Sequence, residues 1–129
     1  MEEAMNKRRI DSYIQEACEV LEKTKIVKNG EIQSTFRGQI ASFGAMVATG
    51  SLLSAIALFS VQGGSSVERD KLILALAYLI LDKEQEKTNQ SLFLYVQNKI
   101  NDGKERIVKE EVMDAAIALK LAMNFYKMI

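Results

Sequence analysis

Histidine and proline are both absent from this chain, and cysteine occurs once. Each absence closes something off. Without histidine, the commonest general base and the commonest metal ligand are missing. Without proline, and with Ala, Leu, Ile, Lys and Glu abundant, the composition reads as an all-helical chain. The lone Cys18 cannot form an internal disulfide, which fits a reducing compartment. Residues 1–30 alternate charge and contain no apolar core of a secretory signal and no small-residue cleavage site, so the expected location is cytoplasmic.

Net charge is missing too. The formal charge is zero, and it is spread evenly: residues 1–30 carry six basic and six acidic side chains, and residues 91–129 carry six and five. Bulk charge therefore advertises no surface for a polyanion and leaves only local patches. At 129 residues the chain is expected to fold as one domain, 1–129, around one core.

What is present stands out against this. Gly38 to Val67, "GQIASFGAMVATGSLLSAIALFSVQGGSSV", runs thirty residues without a charge. As a helix, Ala41–Val61 would reach roughly the 30 Å hydrocarbon thickness of a bilayer. Ser42, Thr49, Ser51, Ser54, Ser60, Gly44 and Gly50 interrupt it, and alanine makes up much of the apolar remainder. No aromatic belt and no one-sided basic cluster flanks it. The stretch reads instead as two short helices broken near Gly50 and buried in a helical bundle, with a small membrane protein as the competing reading.

Periodicity places the other elements. Ile10, Tyr13, Ile14, Ala17, Cys18 and Leu21 form one stripe of period 3.6, a first helix that should end before "KNGE" with Gly30 in the left-handed conformation. Ser34 is the expected cap of a second helix with Phe36, Ile40, Phe43 and Val47 on one face. Ser51 should cap a third, whose Leu52, Leu53, Ile56 and Phe59 predict an element nearly enclosed by protein and ended by Gly63 and Gly64. Ser65 and Glu68 have capping-box spacing ahead of Leu72–Leu81, ten apolar residues in a row that predict a central core helix. "DKEQEKTNQ" reads as either a frayed helix end or a loop. Phe93, Val96 and Ile100 mark a helix stopping at "NDG". Val108, Val112, Ala115, Ala116, Leu119, Ala122, Met123 and Tyr126 mark a last helix expected to reach the C-terminus. The predicted fold is all-α, a single compact bundle of about six helices.

No catalytic constellation emerges. Cys18 lies inside an apolar stripe with no base to deprotonate it. Glu110 and Glu111, like Glu2 and Glu3, are adjacent, so helix geometry points them about 100° apart and toward water. The glycines at 38, 44 and 50 match no phosphate-binding spacing. Met113, Met123 and Met128 read as core filler or a forgiving interface. The expectation is a protein that is not an enzyme and has no metal or cofactor. Among basic residues, Lys7, Arg8 and Arg9 lie together, Arg37 borders the uncharged stretch, and Lys120 and Lys127 stand two turns apart on the predicted last helix. Each is either a solvated side chain or a contact to a phosphate backbone.

"FRGQIASFGAMVATGSLLSAIALF", Phe36 to Phe59, resembles the signature region of the small all-helical subunit of the type III-B CRISPR RNA-targeting effector, the Cmr complex. The shared pattern is a helix ending in an apolar pair (Met46, Val47), a glycine turn (Gly50) and a Leu/Ala-rich helix (Leu52, Ala55, Leu58). Glu110 to Ile129 is similar to that family's C-terminal helix. The resemblance implies a non-catalytic assembly subunit in antiviral defence, whose copies stack along the channel holding guide RNA paired to target RNA. Its implied partners are the backbone and large subunits, the guide and target RNAs, and copies of itself. Arg37, Lys120 and Lys127 are nominated for RNA contact by their place beside the matched segments, followed by Lys7, Arg8 and Arg9. Zero net charge suits stacking, because neighbouring copies do not repel. The alternative is a helical scaffold or adaptor without RNA contact.

Overall fold

The computed structural model describes residues 7–61 and 68–129. Among them six α-helices carry the fold: α1 (Lys7–Lys23), α2 (Ser34–Thr49), α3 (Leu52–Phe59), α4 (Asp70–Ile80), α5 (Asn89–Asn101) and α6 (Glu105–Ala122). The all-α expectation holds, with one addition. Two-residue strands β1 (Val27–Lys28), β2 (Glu31–Ile32) and β3 (Lys127–Met128) form a small sheet in the order β1-β2-β3.

Helix α6 is the hub, packed on α1, α2, α4 and α5, while α4 packs on α1, α3, α5 and α6. The buried face of α2 is Phe36, Ile40, Phe43 and Val47, as its periodicity predicts. Phe43 meets Phe59 of α3 edge to face, with ring centroids 5.4 Å apart. Leu72, Ile73, Ala75, Leu76, Ala77 and Leu79 of α4 are all buried, as expected of its apolar run. These side chains and the inner face of α6 belong to one contiguous core.

Gly50 breaks the uncharged stretch, as read from the sequence. Its N–H donates to the Met46 carbonyl at 2.9 Å, and a Cβ there would lie 3.1 Å from that same oxygen. Ser51 then caps α3 by accepting from the Ser54 N–H. "DKEQEKTNQ" is mostly loop. Thr88 opens α5 through a capping box with Ser91. The turn at Gly63 and Gly64 and the Ser65 cap lie outside the described residues; α4 starts at Asp70 after Arg69.

Five expectations are corrected. First, α1 ends before "KNGE" and Gly30 is left-handed, as expected, but the left-handed residue that follows the end of α1 at Lys23 is Lys25 (φ 63°). "KNGE" is the turn of a β-hairpin, in which Asn29 (φ 55°) and Gly30 (φ 76°) are both left-handed and Lys28 pairs with Glu31. That is the geometry an Asn-Gly dipeptide favours, because its twist matches the strands it joins. Second, Ser34 does not cap α2. Gln33 holds the cap position without a side-chain bond, and the Ser34 N–H donates to the Ile129 carbonyl at 3.0 Å.

Third, among the described residues α3 is not enclosed: Leu58 is 47 % exposed and Ala57 faces water, while α3 packs mainly on α2, α4 and α5. Fourth, the part of the uncharged run that lies in α2 is only half buried. Gly38, Ala41, Ser42, Ala45, Ala48 and Thr49 form the solvent face of α2. Fifth, the last helix stops at Ala122. A 3₁₀ turn (Met123–Phe125) reverses the chain into β3, which pairs parallel with β2 through Lys127 N–H to Gly30 O (3.1 Å) and Ile129 N–H to Ile32 O (2.9 Å). Two backbone bonds to the hairpin replace the helical bonds that Tyr126 to Met128 would otherwise make.

Candidate nucleic-acid interface

The six nominated basic residues divide between exposed positions and one tied into the fold. Lys7 and Arg8 are exposed on the first turn of α1. Arg9 turns inward and its guanidinium lies 3.2 Å from the carboxylate of Asp114 on α6, a side chain with almost no exposure. A buried carboxylate needs a partnered cation, so Arg9 is tied to the fold. Arg37 is exposed on α2. Lys120 is exposed near the end of α6, whereas Lys127 projects from β3, so the two do not share a helix face. The correction follows from the chain reversal after Ala122.

Around Arg9 and Asp114 lies a polar group missed by the sequence reading. The Tyr95 hydroxyl of α5 donates to Glu111 Oε1 of α6 at 2.7 Å. Burial pushes the Tyr13 phenol of α1 up to about 12, helped by the negative Glu111 and opposed by Arg9. Tyr95 is pushed up as well, first by burial and then by its bond to Glu111. Glu111 is thus engaged between helices rather than projecting freely beside Glu110. The signal was legible: Asp114 interrupts the apolar run "VMDAAIAL", and a charge in such a register requires a partner. Its chemistry is that of a structural seam between α1, α5 and α6. Among the described residues no group of three or more His, Cys, Asp or Glu side chains is placed to hold a metal ion.

At the other end of α1, Tyr126 fastens the C-terminal segment. Its single hydroxyl proton is shared between the Cys18 carbonyl at 3.2 Å and Glu22 Oε2 at 3.1 Å. Its phenol is raised by burial first, with Cys18 and Glu22 adding to the shift. A cleft of about 270 Å³ lies between the hairpin and the starts of α2 and α4. Ile26, Phe36 and Ile129 contribute apolar surface there; Lys25, Lys28 and Lys71 contribute positive charge and Glu31 and Glu68 negative charge; Asn29 and Gln33 contribute amides.

Two surfaces are therefore available for recognition: this lysine-lined cleft and the uncharged outer face of α2. Among the described residues no helix is long and apolar enough to cross a membrane, since the break at Gly50 divides the one long uncharged run. Comparison with protein-family models, curated proteins and solved structures finds no match to the chain.

Proposed function

We propose that the protein is the non-catalytic small subunit of a cytoplasmic type III-B CRISPR RNA-guided complex, stacked along the channel that holds guide RNA paired to target RNA. The observation that carries this reading is the solvent face of α2. Gly38, Ala41, Ser42, Ala45, Ala48 and Thr49 recur at helical spacing, are exposed and bear no charge. Such a face lets another helix approach closely while desolvating few polar groups, and large interaction faces need that low cost. It lies within the segment whose pattern resembles the small-subunit signature, and Arg37 stands at its N-terminal end. The absence of net charge removes repulsion between neighbouring copies.

In this role the subunit binds and positions rather than reacts. Its partners are the backbone and large subunits, guide and target RNA, and further copies of itself. The test is co-purification of the tagged full-length protein from its native host, with bound proteins and RNAs identified. Recovery with short guide RNAs and CRISPR backbone subunits is expected. Recovery with protein partners but no RNA would replace this reading with a scaffold or adaptor role. RNA cleavage by the pure protein, lost on changing one carboxylate, would overturn the non-catalytic assignment.

A further inference from the structure

Lysines from three separate parts of the chain converge where the hairpin meets β3 and the start of α4. Lys25, Lys28 and Lys71 line the cleft described above. Lys127 joins them through strand register, since Lys28 pairs with Glu31 and Glu31 with Lys127, which puts all three on one outward row of the sheet. With strands about 4.8 Å apart, Lys28 and Lys127 flank Glu31 at a separation of about 10 Å. Val27, Ile32 and Met128 occupy the opposite, inward face.

The charges do not cancel. Four lysines face two glutamates, Glu31 and Glu68, and Glu68 is held by Lys71 at 3.4 Å. The side chains of the strip are thus positive by two in a chain of zero formal charge. Lys25, Lys28 and Lys127 have no ion pair or hydrogen bond from their side chains to any described residue. Their backbone is held firmly: Lys25 closes α1, Lys28 flanks the two-residue turn, and Lys127 is bonded to Gly30.

We propose that this strip is a phosphate-binding surface for a single RNA strand, with Lys25, Lys28 and Lys127 contacting successive stretches of backbone and Asn29 and Gln33 offering neutral hydrogen-bond groups beside them. It deepens the RNA-binding reading given above, and rests on it, by moving the contact from the end of α6 to the sheet. Lysine acts as a point charge on a flexible stem and needs no fork geometry, so contact is to phosphates and independent of sequence. Lys25, Lys28 and Lys71 line the cleft and Lys127 stands in the same outward row as Lys28, so the cations are spread over several segments instead of one helix turn, which suits a chain of evenly charged groups.

The experiment measures fluorescence anisotropy of a labelled oligouridylate with the full-length protein over a range of salt concentrations. Each single-strand phosphate contact contributes about 0.7 to the log–log salt slope, so three lysines contribute about 2. Changing Lys25→Gln, Lys28→Gln and Lys127→Gln together is expected to remove that slope and most of the low-salt affinity. The charge-matched control Lys83→Gln, Lys104→Gln and Lys109→Gln should leave both nearly unchanged. Circular dichroism reports whether the triple variant folds; if it does not, Lys28→Gln and Lys127→Gln singly should each lower the slope by about 0.7. A loss in the control with none in the sheet variant would place RNA elsewhere and overturn this surface, while leaving the co-purification test of the subunit role untouched. Absence of parent binding at low salt would overturn it too. Equal competition by hexaglutamate would make the strip a docking site for acidic protein instead.

Discussion

Helices α2 and α6 invert what their sequences suggest about burial. Without charge after Arg37, α2 turns half its surface to water through Gly38, Ala41, Ser42, Ala45, Ala48 and Thr49. Helix α6 carries charge along much of its length, yet packs against four other helices and buries a carboxylate, Asp114. The lesson is that a missing charge does not imply enclosure and a present one does not imply solvent. Small uncharged side chains tolerate exposure because each presents little apolar area to water. A buried aspartate needs a cation beside it, and Arg9 reaches Asp114 from α1.

Breaking the buried half of α2 should have the largest effect. Phe43 is fully buried and edge-on to Phe59, so Phe43→Ala is expected to cost about 3–5 kcal/mol in urea unfolding. Next comes the ion pair under α6. Arg9→Ala leaves the Asp114 carboxylate without its guanidinium and should cost about 3 kcal/mol, at the lower end for a buried pair because Arg9 is 31 % exposed. Replacing both, as Arg9→Met with Asp114→Leu, should recover most of that loss, which a double-mutant cycle would read directly.

The same seam has an alkaline signature. The Tyr13 phenol is raised to about 12, against an ordinary value near 10, so the folded protein holds this proton longer than the unfolded chain. The stabilisation is complete below pH 10 and is lost as pH climbs from there through about 12. Urea midpoints measured across that window should fall with pH, and Tyr13→Phe should flatten the fall. An unchanged slope in the variant would remove Tyr13 from this role.

The smallest effect on stability is expected on the outer face of α2. Ala41→Glu with Ala45→Glu should change folding free energy by only about 0.5 kcal/mol, because both side chains already face water. It should nevertheless abolish recovery of partner subunits in co-purification. Retained recovery would show that this face is not the docking surface and would leave its small residues without that explanation.

Much of the helical framework was legible because helix faces obey a local period. The row Phe36, Ile40, Phe43 and Val47, the break at Gly50, the Ser51 cap and the enclosed α4 all follow from residues within a few turns of one another. The Asn29-Gly30 turn was also written locally, as a dipeptide suited to a hairpin, but the apolar stripe of α1 ahead of it favoured a helix end instead. The candidate surface was less accessible. Arg37 and Lys127 were visible as basic residues, whereas the role of Lys25, Lys28 and Lys71 depends on segments far apart in the chain.

By itself, then, the sequence determined the helical class and the inward face of most helices, since those depend on side chains three or four residues apart. Tertiary structure alone decided three other matters. It turned the C-terminal residues from helix to strand, because the hairpin offered backbone partners at Gly30 and Ile32. It buried Asp114, because α1 delivered Arg9 to it. It gathered the lysines, because the register of Glu31 with Lys127 is set by hydrogen bonds between residues about a hundred positions apart, a distance over which no local periodicity carries information.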